Sequence, residues 1–190
     1  MVRNEARRTA LADAAIEVLA RDGARGLTFR AVDTEAGVPA GTASNYFTSR
    51  DDLLHQAGLH IHVRLTPAPE RIEELMAGPR TRELVFRLMH DLRARMLADR
   101  AGYLALLELR LEATRRPALR TALTETLRRN LAVNIGFHTD AGLPGGAETV
   151  LLLYFAMTGL LVEHLTTPDV LAGHEIDRLV DLIVASALPE

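Results

Sequence analysis

Apolar residues in this chain recur every three or four positions almost from end to end. Leu11, Ala14, Ala15, Val18 and Leu19 begin the pattern. Leu84, Val85, Leu88, Met89, Leu92 and Met96 continue it, as do Leu119, Leu123, Leu127, Leu131 and Ile135 at a strict four-residue spacing. Ile176, Leu179, Val180, Ile183, Val184 and Ala187 close it. Such spacing gathers side chains on one face of an α-helix. No stretch alternates apolar and polar residues with the β-branched enrichment of a strand. The pattern predicts an all-α fold of about nine helices.

Punctuation divides the helices. Gly23 and Gly26 end the first, Thr28 can cap a second to about residue 36, and Gly37 breaks it. Pro39 suits the first position of a third, where a missing N–H costs nothing. Ser49-x-x-Asp52 resembles a capping box, with Asp in place of the usual Glu, and opens a fourth helix to about residue 65. Residues 66–69 read as a connector. Further helices are expected over 81–98 and 103–115, from Pro117 onward, and over 147–165 and 174–188, with a loop at 142–146. We expect a small unit over 1–47 and a larger helical body over 48–190, joined by the helix at 48–65.

Composition excludes several chemistries. There is no cysteine, hence no disulfide, thiol nucleophile or cysteine-ligated metal. All 22 basic residues are arginine, which excludes a Schiff-base lysine and the lysine of a phosphate-binding P-loop. The three serines, Ser44, Ser49 and Ser186, lack a nucleophile-elbow context. His60-x-His62 places two imidazoles on diverging faces of a helix, so no metal site is expected. The reading is a protein that is not an enzyme and needs no cofactor. No signal-peptide pattern opens the chain, and the longest apolar run, 150–162, is shorter than the ~20 residues of a membrane span. A cytoplasmic protein with no membrane partner is expected. Residues 1–50 carry seven arginines against six acids and residues 51–190 carry 15 against 19, an asymmetry too mild to identify a nucleic-acid binder by itself.

Residues 28–54 carry the most information. They read as a short helix, a tight turn at Gly37 and a second short helix. Val32 and Ala36 can face Val38, Ala43 and Phe47, which leaves Ala40, Gly41, Thr42, Ser44, Asn45 and Tyr46 pointing elsewhere. Spacing alone allows two readings. One is a corner inside a helical bundle. The other is a DNA-reading element: small and hydroxylated side chains permit close approach to a groove, Asn reads a base edge, and Thr, Tyr and Arg50 hold phosphates.

The segments Leu27-Thr28-Phe29-Arg30-Ala31-Val32, Ala36-Gly37-Val38-Pro39-Ala40-Gly41-Thr42 and Tyr46-Phe47-x-x-Arg50-Asp51-x-Leu53 resemble, without gaps, the DNA-binding motif of the TetR (tetracycline-repressor-like) family of bacterial transcription regulators. The resemblance covers the N-terminal quarter. Ser44 stands where that pattern often has an aromatic, Pro39 replaces Ser, and Arg50 replaces Lys. Asp33 and Thr34 stand where it has Ile or Ala and leave the frame intact.

The resemblance implies a three-helix helix-turn-helix domain followed by a helical ligand-binding and dimerisation domain. Thr28 and Arg30 would contact phosphates. Ala40, Gly41, Thr42, Ser44 and Asn45 would lie in the major groove, and Tyr46 and Arg50 would hold the backbone. Arg3, Arg7 and Arg8 would form an arm, and Leu19, Phe29, Val32 and Phe47 the small domain's core. The implied function is a ligand-responsive repressor that binds a palindromic operator in double-stranded DNA as a homodimer and is released by a small-molecule effector. A helical ligand-binding or scaffolding protein without a DNA role is the alternative.

In the helical body, Phe86, Met89, Met96, Tyr103, Phe137, Tyr154, Phe155 and Met157 are candidate pocket residues, with simple core packing as the alternative for each. Glu108, four residues before Glu112, could meet a cationic ligand or serve as a solvated face. The run 151–157 is hydrophobic all round, the mark of a helix buried on every side. Leu151, Leu152, Phe155, Leu160, Leu179, Leu182 and Ile183 are the expected dimer interface.

Overall fold

The computed structural model describes residues 4–188. Among these are ten α-helices and no strand: α1 (Glu5–Gly26), α2 (Phe29–Glu35), α3 (Thr42–Tyr46), α4 (Arg50–Leu65), α5 (Pro69–Leu75), α6 (Arg82–Ala98), α7 (Arg100–Ala113), α8 (Pro117–Asp140), α9 (Ala147–Thr166) and α10 (Ile176–Ala187). A 3-10 turn, Pro168–Leu171, links the last two. The all-α expectation holds, and every anticipated helix is present. The connector expected at 66–69 gives way to α5, which Pro69 opens from its first position.

Packing divides the chain into two compact units that cut across the expected boundary at residue 47. The first comprises Met1–Thr66 and Asp99–Leu127, the second Pro67–Ala98 and Arg128–Glu190.

In the first unit, α1 packs on α2, α4 and α7, and α4 packs on α7. Leu11, Ile16, Leu19, Leu27, Val32 and Phe47 are fully or almost fully buried there, with Leu53, Leu54, Ile61 and Leu109. Fully burying one such side chain contributes roughly 1.5–3 kcal/mol. Polar ties fix the register. Asp99 caps α7 by accepting from the Gly102 N–H at 3.0 Å, and it accepts from Arg64 of α4 at 2.5 and 2.9 Å. Arg64 also reaches Glu17 of α1 at 3.1 Å. Near the other end of α4, Arg116 joins Asp51 at 2.6 Å and Glu112 at 2.5 Å.

In the second unit, α6, α9 and α10 enclose Leu84, Val85, Leu153, Met157, Val180 and Val184. Asp91 of α6 is buried and bridges Arg71 of α5 and Arg95, at 2.7 and 2.8 Å. His90 and Arg93 of α6 reach Asp181 and Asp177 of α10 at 2.7 and 2.6 Å.

Helix α9 corrects one expectation. Its apolar run is not buried on every side. Val150, Leu153, Met157, Leu160 and Leu161 face inward, whereas Leu152 is 57% and Phe155 65% exposed. The thirteen-residue run also sits within a 20-residue helix that is long and apolar enough to cross a membrane by length and composition. Helix length therefore gives no ground for excluding a bilayer. One face of this helix, with Leu153 and Met157, belongs to a packed core.

Candidate nucleic-acid interface

Three local signals place α2 and α3. The Thr28 hydroxyl accepts from the Ala31 N–H at 3.1 Å and starts α2 as anticipated. Gly37, at φ +62°, ends it. The N–H groups of Gly37 and Val38 donate to the carbonyls of Thr34 and Asp33 at 3.2 and 3.0 Å, a Schellman termination that needs a left-handed residue at this point. The chain then turns through Pro39 and Ala40 to Gly41, at φ +90°. A Cβ on Gly41 would meet nothing within 4 Å. Only the backbone conformation calls for glycine there.

Gly41 has no side chain with which to cap α3, and Asp33 of α2 supplies the missing acceptor. Its carboxylate is 2% exposed and accepts from the Gly41 N–H at 2.7 Å and the Ala43 N–H at 2.6 Å. A carboxylate receiving two backbone donors at a helix N-terminus satisfies orphan groups and complements the helix dipole. This corrects the reading of Asp33 as a neutral departure: it is the residue that locks α3 to α2. A signal was available. Phe29, Val32, Asp33 and Ala36 occupy one helical stripe, and a carboxylate on a buried stripe needs partners.

The exposed surface around α3 consists of Ala40, Gly41, Ser44 and Asn45, with Thr42 and Tyr46 half-buried. The Thr42 hydroxyl donates to the Pro39 carbonyl at 2.6 Å, and the Ser44 hydroxyl to the Gly41 carbonyl at 2.8 Å. Thr28 and Arg30 are exposed at α2. Arg8 lies with its guanidinium carbon 5.5 Å from the Phe47 ring centre, which sets the start of α1 against the end of α3. Arg7 is exposed near the start of α1. Arg3 lies outside the described residues.

Arg50 departs from its expected role. Its Nε donates to the Leu27 carbonyl at 3.1 Å, and its Nη2 donates to the Ala24 carbonyl. A guanidinium on the last carbonyls of α1 is a C-terminal cap of favourable sign. In this conformation it is engaged with the protein's own backbone rather than turned toward a phosphate. The adjacent cap forms as expected: the Ser49 hydroxyl accepts from the Asp52 N–H at 3.0 Å. The Asp52 carboxylate reaches back one residue further than a capping box does, accepting from the Thr48 N–H at 2.8 Å and its hydroxyl at 3.1 Å. Burial pushes the Asp52 carboxyl upward, but these bonds, one from Gln56 and the charge of Arg8 bring it below its ordinary value.

Glu108 also has a structural task. Helix α1 breaks at Gly23, φ +69°, and the Glu108 carboxylate of α7 accepts from the freed Ala24 N–H at 3.3 Å. A Cβ at Gly23 would lie 3.1 Å from that carboxylate. Glu108 thus serves the break in α1. Tyr103 is buried in the same unit, while Phe86, Met89, Met96, Phe137, Tyr154, Phe155 and Met157 belong to the second. Met96 and Met157 are buried and Phe155 is exposed. Of the expected interface, Leu152, Phe155 and Leu182 are exposed, and Leu151, Leu179 and Ile183 are half-buried. Leu160 is buried against the core of the second unit and is withdrawn from the set.

Comparison with known proteins adds independent findings. Residues 11–57 match the family model "Bacterial regulatory proteins, tetR family". Residues 80–188 match "Tetracyclin repressor-like, C-terminal domain". The HTH-type nicotine-responsive transcriptional repressor HdnoR of Paenarthrobacter nicotinovorans is 30% identical over 111 residues, 58% of this chain and 56% of that protein. The chain thus matches little more than half of that repressor's length. A TetR-family member from Streptomyces coelicolor A3 is 26% identical, with TM-score 0.71 over 97% of this chain and 99% of that one. The multidrug binding protein EbrR, complexed with imidazole, is 25% identical, with TM-score 0.64 over 98% and 92% of the two chains.

Proposed function

This chain belongs to the TetR family of bacterial regulatory proteins, and we propose that it works as a repressor that reads a palindromic operator as a homodimer and leaves it when a small molecule binds. It is a regulator and not an enzyme. The observation that carries the reading is the Asp33 lock: a five-residue helix with an exposed face of small polar residues is held rigidly at its N-terminus by a buried carboxylate. A corner serving only to pack a bundle has no need to present such a face.

In this reading Ala40, Gly41, Thr42, Ser44 and Asn45 enter the major groove, where Asn45 suits the paired donor and acceptor of adenine. Thr28, Arg30 and Tyr46 hold phosphates and set the register. Arg50 acts indirectly, by holding the end of α1. The exposed Leu152, Phe155 and Leu182 support a second copy as partner, since scattered single apolar residues need no explanation but an apolar helix face does. Two copies would present α3 to major-groove faces roughly 34–36 Å apart, hence a palindrome. Small-molecule release is proposed from likeness to HdnoR, which is nicotine-responsive, and EbrR, a multidrug binding protein. The cytoplasm is the proposed place of action.

Selection from a random pool of double-stranded DNA with the purified protein tests this. Enrichment of a palindrome with half-sites about one helical turn apart is expected. A folded, dimeric protein that enriches no sequence would refute it.

A further inference from the structure

We infer that α3 meets the DNA chiefly as a hydrogen-bond acceptor, with the Ser44 oxygen reading the exocyclic amino group of a cytosine or an adenine. The inference deepens the operator reading above and rests on it. A serine hydroxyl has one hydrogen to give and lone pairs to receive with, so in general it reads base donors and acceptors alike. Here the hydrogen is already engaged. The Ser44 hydroxyl donates to the Gly41 carbonyl at 2.8 Å, and Ser44 is exposed. The half-buried Thr42 repeats the arrangement, donating to the Pro39 carbonyl at 2.6 Å. Accepting from a base leaves these bonds in place, whereas donating to a base would break them.

The backbone at the start of α3 is equally short of donors. The N–H groups at a helix N-terminus ordinarily lack partners and favour an anion. Here the Gly41 and Ala43 N–H groups donate to Asp33 at 2.7 and 2.6 Å, and the Thr42 N–H donates to the Pro39 carbonyl at 3.1 Å. The buried Asp33 carboxylate also opposes the positive end of the helix dipole. Phosphate oxygens and the N7 and O6 acceptors of guanine therefore find neither a donor nor a favourable potential at this end. A base amino group finds an acceptor oxygen, with a carboxylate beneath the same helix end.

The side chains agree with the backbone. Helix α3 holds no arginine for a bidentate guanine contact. Of the exposed side chains between Ala40 and Asn45, the Asn45 amide alone still has hydrogens to give, and its paired donor and acceptor suit adenine. In the major groove each base pair shows one amino group, on adenine in A·T and on cytosine in G·C, and its side depends on the orientation of the pair. An acceptor held at a fixed place therefore tells base pairs apart by where that amino group lies.

Selection from a random duplex pool with the parent and with Ser44→Ala locates the base pair whose preference the serine sets. Duplexes of the selected sequence are then made with purine for adenine, or pyrimidin-2-one for cytosine, at that pair, which removes the amino group. A companion duplex carries the 7-deaza purine there, which removes N7. Affinities of both full-length proteins are measured by fluorescence anisotropy. Any weakening of the base pair itself is common to the two proteins, so the ratio of their losses isolates the serine. Removing the amino group should cost the parent roughly threefold to tenfold more than it costs Ser44→Ala, the worth of one neutral hydrogen bond. Removing N7 should cost both alike. Coupling of Ser44 to N7 and not to the amino group overturns the inference. So does an equal loss in the two proteins on removing the amino group, or a selection in which Ser44→Ala changes no base pair. A pool that enriches no sequence refutes operator reading and this inference with it, whereas an enriched palindrome with the wrong coupling refutes the inference alone.

Discussion

Asp33→Ala is the most informative single change. It removes the acceptor for two backbone donors, the Gly41 N–H at 2.7 Å and the Ala43 N–H at 2.6 Å. The two donors are not equivalent. Gly41 is exposed, so water replaces the carboxylate there and the cost is that of a lost N-cap, about 1 kcal/mol. Ala43 is fully buried, so its N–H is left without a partner at a cost of about 1–3 kcal/mol. Together the change should cost roughly 2–4 kcal/mol, but unfolding and DNA binding should not register it equally. Helix α3 has five residues, and so short a helix can open locally once its lock is gone. The rest of the first unit keeps its core, which limits the loss in global stability. DNA affinity registers the whole opening, because only the closed form reads a groove. A loss of about 2.7 kcal/mol corresponds to about a hundredfold in Kd. At about 2–4 °C per kcal/mol for a chain of this size, a fall in Tm of only a few degrees is expected. Asp33→Asn keeps one acceptor oxygen and should fall between parent and Ala. The assays are fluorescence anisotropy on DNA selected by the parent protein and thermal unfolding followed by circular dichroism. An Asp33→Ala protein with parental Kd and parental Tm would refute the lock.

Arg50→Gln removes the cap on the Ala24 and Leu27 carbonyls and should destabilise the first unit by about 1 kcal/mol, within the range for helix-end charge effects. If Arg50 instead met a phosphate, the slope of log K against log salt would fall by about 0.9 per DNA contact; an unchanged slope is expected. Phe155→Asp, at a side chain 65% exposed, should yield a folded monomer in sedimentation velocity and weaken operator binding through lost dimerisation; a dimer of parental affinity would remove Phe155 from the interface. The Arg116 guanidinium holds the Glu112 carboxyl below its ordinary 4.5. Its contribution is therefore complete above that value and drains away as the pH falls below it, when the unfolded chain takes up the proton first. Glu112→Gln should be less stable than the parent at pH 7, and the two denaturation midpoints should converge as the pH falls below that value; parallel curves would exclude this pair as a source of acid sensitivity.

What was legible in the sequence follows from how far each interaction reaches. The Thr28 and Ser49 caps bond donors three residues ahead, so a short window contains cap and partner alike. The Arg50 bonds span 23 and 26 residues, and nothing near Arg50 announces them; family likeness then suggested a phosphate contact. Glu108 is similar, since its partner Ala24 lies 84 residues away. Helix α5 was missed because seven residues with only Ile72 and Leu75 as large apolar side chains set up no period. Helix α9 misled in the opposite direction. A run apolar on every face fixes that the helix is covered, but burial within the chain and burial by a partner leave the same composition. Only packing separates Leu153 and Met157 from Leu152 and Phe155.

The devices that hold α3 all lie off its exposed face, and this separation has a measurable consequence. Asp33 holds the N-terminus, Gly37 sets the approach, Ala43 and Phe47 are buried beneath, and Ser49 starts α4 just beyond. Ser44 and Asn45 take no part in that support beyond the bond from the Ser44 hydroxyl to the Gly41 carbonyl. Substitutions at exposed positions of this kind usually change stability by no more than about 0.5 kcal/mol, whereas one mismatched base contact costs about 1–3 kcal/mol. Asn45→Ala and Ser44→Ala should therefore leave Tm within a degree or two and yet enrich different sequences from the same random pool. Loss of the Asn45 amide should relax or alter one base position per half-site. Loss of Arg30, a proposed phosphate contact, should weaken binding to every sequence alike. An Asn45→Ala protein that enriches the parental sequence unchanged would mean that this face does not read bases, and the Asp33 lock would then serve packing alone.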